Sequence, residues 1–202
     1  IPVLEKLRSA VGPEFRLMHE AVGKNMGSFE TILNDFAPVL EQLGFYWFEE
    51  AFGSTDILHM NWYKQLNQAL PTVRVSGGER FLNRFEAQTW LDNDGLDIVQ
   101  TDCNVTGVTE NWYIAKMTRL RDKTLIPHNW HGGGTTMANA HLVASMPNRE
   151  YCELNQTFNP LKDQIFRDPL IVKNGKMVGF NITLGWVILM ILPRLVLTPF
   201  QN

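Results

Sequence analysis

Residues 44–52 read GFYWFEEAF, an unbroken apolar run that stops at two adjacent carboxylates, Glu49 and Glu50. A short bulky run bounded by a turn residue reads as a buried strand, and the acids then stand at its C-terminal end. The preceding stretch, FETILNDFAPVLEQLG (29–44), has helical spacing and closes on Gly44, the residue that most readily ends a helix. Helix followed by strand is therefore the local unit, and the question is whether the chain repeats it.

It does. Val3, Leu4, Leu7 and Val11 form a helical stripe ending near Gly12-Pro13, followed by FRLMHEAV (15–22) as a strand. NWYKQLNQAL leads into VRVSGGE (73–79), RFEAQTWLDND into LDIVQTD (96–102), TENWYIAKMTRLRDK into TLIPHNW (124–130), and TTMANAHLVASM into REYCEL (149–154). Six helix-strand units imply a parallel sheet, because parallel strands need a crossover and a helix is the usual one. Each strand ends on a residue able to do chemistry: Glu20, Glu49, Glu79, Asp102, His128 and Glu153. A ring of such groups at one end is what a (β/α)8 barrel offers, whereas a doubly wound sheet gathers its ligands at one crevice. The expected fold is thus α/β, a partial (β/α)8 barrel. Eight units make a barrel and six are counted, so two are expected before Ile1.

Composition agrees. The 202 residues are 45 % hydrophobic, enough for a real core, and 18 Lys plus Arg against 21 Asp plus Glu give a net charge of −3. No basic field exists to hold a nucleic-acid backbone or an anionic membrane. Cys103 and Cys152 form neither a close-spaced metal pair nor a disulfide framework, and the charged N-terminal stretch is unlike a secretory signal. A cytoplasmic protein is expected.

Three carboxylates converging at one mouth repel one another, and a divalent cation removes the repulsion. Glu20, Glu49 and Glu79 are all-oxygen ligands, which suits Mg²⁺ better than zinc. Asp102 and His128 form a second constellation, in which the carboxylate orients the imidazole and makes it a general base. Glu153 can donate a hydrogen bond to a developing oxyanion. Strand alternation turns Glu50 away from Glu49, so Glu50 is read as structural, paired with a helix cation, and His19 as a packed neighbour of Glu20. The HGGG run at 131–134 imitates an esterase oxyanion motif, but the chain lacks a G-x-S-x-G elbow. It is read as a flexible loop at the mouth.

The segments LMHEAV, FYWFEE, VSGGERF, DIVQTDCNVTGVTE, IPHNW and YCELNQ, in that order, resemble strand ends of the barrel domain in the mandelate racemase/muconate-lactonising family of the enolase superfamily. The resemblance covers roughly residues 1–178. It implies Mg²⁺-dependent abstraction of the proton α to a carboxylate, with Glu20, Glu49 and Glu79 as ligands, Asp102 and His128 as catalytic dyad and Glu153 as electrophilic helper. GGE is similar to the racemase and acid-sugar dehydratase branch, so the expected reaction is dehydration of an acid sugar, with racemisation second. A small hydroxy or sugar acid is the implied substrate, and a homo-oligomer the implied full-length assembly.

The chain departs from that pattern in four ways. Glu20 stands where Asp is usual. Val22 stands where Asn is frequent, and Ala51 replaces a proline. The family's Lys-x-Lys strand and its capping domain have no counterpart in the sequence. Residues 179–202 form an atypical apolar segment, GWVILMILPRLVLTPF included, interrupted by Pro193 and Arg194 and too short to span a bilayer. The rival expectation is a truncated, non-catalytic barrel fragment serving as an interaction domain.

Overall fold

The computed structural model describes residues 1–22, 27–52, 57–158, 160 and 171–178; the apolar segment 179–202 lies outside these. The order is α1 (Pro2–Val11), β1 (Met18–Glu20), α2 (Phe29–Thr31), α3 (Ala37–Gln42), β2 (Trp47–Glu49), α4 (Met60–Ala69), β3 (Arg74–Gly77), α5 (Arg84–Asn93), β4 (Ile98–Val99), α6 (Val108–Arg119), β5 (Thr124–Leu125) and α7 (Gly133–Ser145), then β6 (Ile171–Lys173) and β7 (Lys176–Val178). Strands β1 to β5 form one all-parallel sheet in sequence order, so each crossover helix returns the chain to the next position. This is the expected barrel progression.

Alternation along the strands sends two sets of side chains to opposite faces. Phe48, Val75, Val99 and Leu125 pack outward with Leu40, Leu66, Trp90, Ile114 and Leu142 of the helices. Trp47, Ile98 and Ile126 point inward and gather Tyr46 and Tyr151. A sheet covered on both faces needs near-continuous apolar strands, which is why residues 44–52 read as they do.

Local signals place the helices. Asn83 caps α5 by accepting from the Phe85 and Glu86 N–H groups, while the Glu86 carboxylate takes the Leu82 N–H, a reciprocal cap. Asp94 ends the helix at φ 61°. Between α2 and α3 a π-helical turn, Ile32–Phe36, keeps the rod continuous into a first turn that contains Pro38, which has no N–H to give. Gly78 has φ 107°, and a Cβ there would lie 2.7 Å from the Phe81 ring. Close packing under the Glu79 turn is the physical reason for that glycine.

Two expectations need correction, and one hairpin stands outside the expected set. Residues 149–154 were expected to be a sixth strand; they carry no strand and are held by side chains instead. Glu150 accepts from Tyr46 Oη and makes a two-pronged pair with Arg74 at 2.7 and 2.9 Å, and Asn129 Nδ2 donates to the Glu153 carbonyl. The glycine run is not a flexible loop: Gly132 is the N-cap of α7, and Gly133 is its first residue. Finally, KNGK was not read as a turn. Asn174 (φ 52°) and Gly175 (φ 68°) close the antiparallel β6–β7 hairpin, and both positive angles suit Asn-Gly. Among the described residues no helix is long and apolar enough to cross a membrane.

Glu150 ties the N-terminal ends of β2, β3 and β5 together through Tyr46, Arg74 and Thr124. Its pKa is lowered from 4.5 to about 2, first by the Arg74 hydrogen bond against the opposing effect of burial. A carboxylate with a depressed folded pKa stabilises fully above its unfolded value and loses that contribution as pH falls. The thermal midpoint should therefore drop between about pH 4.5 and pH 2. Glu150→Gln should cost on the order of 1 kcal/mol at pH 7 after allowance for solvent screening, and should flatten that acid slope. An unchanged slope in thermal melts of the variant would remove Glu150 as the tie.

Candidate active site

Pairing register sets the floor of the site. Glu20 pairs with Glu49 and Glu49 with Ser76, so three polar side chains share one level on the inner face. Glu49 is 5 % exposed. Trp47 Nε1 donates to its Oε2 at 3.1 Å. Burial pushes the Glu49 carboxyl well above the ordinary carboxylate range, and the Glu20 carboxylate, which shares a hydrogen bond with it, pushes further; a hydrogen bond from Gln100 acts the other way. Glu20 is exposed, and its Oε1 accepts the Val22 N–H at 2.6 Å. Ser76 Oγ and Gln100 Oε1 are buried without a hydrogen-bond partner.

The second group lies on the next strand ends. His128 Nδ1 is 2.8 Å from Asp102 Oδ2, and its Nε2 is 3.2 Å from Glu79 Oε2. Asp102 is fully buried, and its Oδ1 accepts the Asn104 N–H at 2.7 Å. Burial alone would lower the His128 pKa. The Asp102 hydrogen bond and the charges of Glu153, Glu79 and Asp102 outweigh it, so the imidazole sits above its usual 6.5. Glu153 accepts the Asn129 N–H at 2.8 Å. Burial raises its pKa, against the charge of His128 and the Asn129 hydrogen bond, and a carboxyl held toward its protonated form can donate.

The expected residues are thus brought to one mouth, in two neighbourhoods. Glu20 and Glu49 touch each other; Glu79 sits with His128 and with Arg80 Nε at 3.2 Å. Glu50, expected to pair with a helix cation, lies just past β2 at φ 47°, is 4 % exposed and accepts the Gly78 N–H at 2.9 Å. His19 packs its ring against Phe36 and Phe48, centroids 5.0 and 5.4 Å away, and burial lowers its pKa. The Cys103 and Cys152 thiols are pushed up to about 12 by burial, which makes them poor nucleophiles.

Two site residues escaped the sequence reading. His131 Nε2 lies 2.9 Å from the same Asp102 Oδ2 that His128 uses. Gln100 was legible in principle, since it stands two residues after inward Ile98 and two before Asp102.

The Enolase C-terminal domain-like family matches residues 1–183, and the chain belongs to it. Arabinonate dehydratase of Saccharolobus solfataricus is 32 % identical over 176 residues, covering 87 % of this chain and 45 % of that protein. D-galactarolactone cycloisomerase of Agrobacterium fabrum is 29 % identical, covering 86 % and 46 %. The crystal structure of 3,6-anhydro-D-galactonate cycloisomerase from Zobellia galactanivorans superposes with TM-score 0.76 at 30 % identity, covering 86 % and 48 %. The chain therefore spans about half the length of these relatives.

Val22 deserves its Asn counterpart's comparison on physical grounds. It has φ 56°, a left-handed conformation that a β-branched residue resists and Asn adopts readily. Its side chain is 51 % exposed, so little packing is lost on replacement. Val22→Asn should stabilise the fold by about 1 kcal/mol, seen as a higher melting temperature; a lower one would show that the valine side chain holds the loop.

Proposed function

We propose that the protein removes the proton α to a carboxylate with His128 as general base, and that the overall reaction is dehydration of an acid sugar. The observation that carries this reading is His128 held at 2.8 Å by buried Asp102 while its other ring nitrogen faces the acid mouth. With Asp102 accepting from Nδ1–H, Nε2 would present the lone pair that takes the proton once Glu79, 3.2 Å away, is drawn to the cation. The imidazolium that forms is stabilised by the same carboxylate and by Glu79 nearby.

The acids suit a hard divalent cation. Exposed Glu20 shares a hydrogen bond with buried Glu49, and orphaned Gln100 Oε1 and Ser76 Oγ are further oxygen ligands on the same inner face. Glu20 and Glu49 would hold Mg²⁺ with Glu79, which would have to leave His128 Nε2, 3.2 Å away, to join them; the ion would supply positive charge to the carboxylate of the substrate as negative charge develops on it. Glu153, kept toward its neutral form by burial, donates to the same developing oxyanion. His128 then returns its proton to a leaving hydroxyl on the same face.

Relatives named as dehydratase and cycloisomerase support acid-sugar chemistry. Dehydration is preferred to racemisation because one base suffices for elimination, whereas inversion needs groups on both faces of the intermediate.

Two measurements bear on this. Glu49→Gln keeps the volume and removes the buried charge; in calorimetry it should lose most Mg²⁺ affinity, and without Mg²⁺ it should melt higher than the parent. Unchanged Mg²⁺ affinity would take Glu49 out of the metal site. For the reaction, the full-length product with a panel of sugar acids in heavy water and Mg²⁺ should release a keto acid, residues 1–202 alone should release none, and His128→Asn should slow the full-length release about 10²-fold or more while leaving Mg²⁺ binding intact. Deuterium incorporation with inversion and no keto acid would overturn dehydration in favour of racemisation.

A further inference from the structure

We propose that Asp102, His128 and His131 form a second cation site, selective for zinc-type ions over Mg²⁺, whose occupation switches off His128 as a base. Their ligand atoms all lie within 4.8 Å of one another, the one group of three His, Cys or acidic residues to meet that condition among the described residues. The pairs are already close, 2.8 Å from Asp102 Oδ2 to His128 Nδ1 and 2.9 Å to His131 Nε2. At metal–ligand distances of about 2.0–2.1 Å, tetrahedral ligands stand roughly 3.3 Å apart. The trio needs to open by about half an ångström, which an exposed-edge histidine at the start of a helix can supply.

Each member is positioned for the task. Asp102 Oδ1 is engaged by the Asn104 N–H, leaving Oδ2 as the shared corner. Asn139 Nδ2 donates to the His128 carbonyl at 2.9 Å and fixes the backbone behind the ring. His131 precedes the Gly132 N-cap of α7, and its side chain is 37 % exposed, which gives ions and a water ligand access. Two imidazoles and one carboxylate with an open fourth position match a borderline-soft ion, whereas Mg²⁺ prefers oxygen ligands in octahedral array. The Glu20–Glu49 pocket has the opposite character, so the mouth holds a nitrogen-rich site beside an oxygen-rich one.

The consequence follows from the tautomer. Coordination through Nδ1 moves the ring proton of His128 to Nε2, and a nitrogen that carries a proton cannot accept another. Zinc would therefore inhibit without displacing Mg²⁺. The binding does not depend on the function proposed above; the inhibition does.

The test is a calorimetric titration of the Mg²⁺-saturated protein with Zn²⁺, repeated with Co²⁺ as a spectroscopic probe. One equivalent of Zn²⁺ should bind, with visible d–d absorption of the Co²⁺ form at an intensity typical of tetrahedral coordination. His131→Ala and the milder His131→Asn should each weaken Zn²⁺ binding at least tenfold and leave Mg²⁺ affinity unmoved, with circular dichroism reporting the fold. Zinc uptake in the absence of any Mg²⁺ binding would support this site and sink the reading of the acids. No uptake at saturating Mg²⁺, uptake abolished by competing Mg²⁺, or affinity unchanged in both folded variants would overturn the proposal.

Discussion

Two carboxyl groups in hydrogen-bond contact, one of them 5 % exposed, cannot both be ionised without a compensating charge. Burial and the neighbouring Glu20 drive Glu49 toward its neutral form, and the interior provides partial compensation only, from the indole of Trp47 and the amide of Gln100. Leaving a buried carboxylate in that state costs several kcal/mol, so the pocket is strained until a cation or a proton enters. The rest of the mouth is arranged around that constraint. Glu50, one residue on, accepts a backbone amide from Gly78. Glu79 faces an imidazole and a guanidinium, which lowers the negative field Glu49 feels.

Much of this was legible because the inner and outer faces of short parallel strands follow strict alternation. Glu20, Glu49, Gln100, Asp102 and His128 follow inward positions on their own strands, and His19 and Glu50 follow outward ones. Two aromatic anchors, Trp47 and Phe48, declare the two faces within one dipeptide. The repeat of helix and strand carries the topology, and Asp102 and His128, each three residues past the end of its strand, are placed 2.8 Å apart.

What was not legible depends on side chains that do the work of a backbone ladder. Residues 149–154 alternate like a strand, yet their segment is carried by Glu150 at one end and Glu153 at the other; no pattern of apolar residues announces that. His131 belongs to a glycine-rich run whose composition suggests a loop, while its tertiary neighbour Asp102 lies 29 residues earlier. A sequence shows the spacing of ligands along a chain and leaves their convergence to the fold. The β6–β7 hairpin is the reverse case, a local Asn-Gly signal passed over because the barrel reading had no place for it.

The two ends of the sheet divide the labour. At the N-terminal end, Arg16 and Arg74 stack on Tyr46 at 4.7 and 4.2 Å, Arg74 pairs with Glu150, and Arg16 donates to Tyr151 Oη. At the C-terminal end, like charges are held together, and Ser76 Oγ, Gln100 Oε1 and Asn129 Oδ1 are among the buried atoms without a partner. Stability is concentrated where polar groups are satisfied, and reactivity where they are not, which is the division expected of a parallel barrel whose chemistry sits at the ends of its strands. The satisfied end can hold the strands in register while the unsatisfied end waits for ligands, because the apolar inner layer of Trp47, Ile98 and Ile126 separates the two and keeps their charges from neutralising one another.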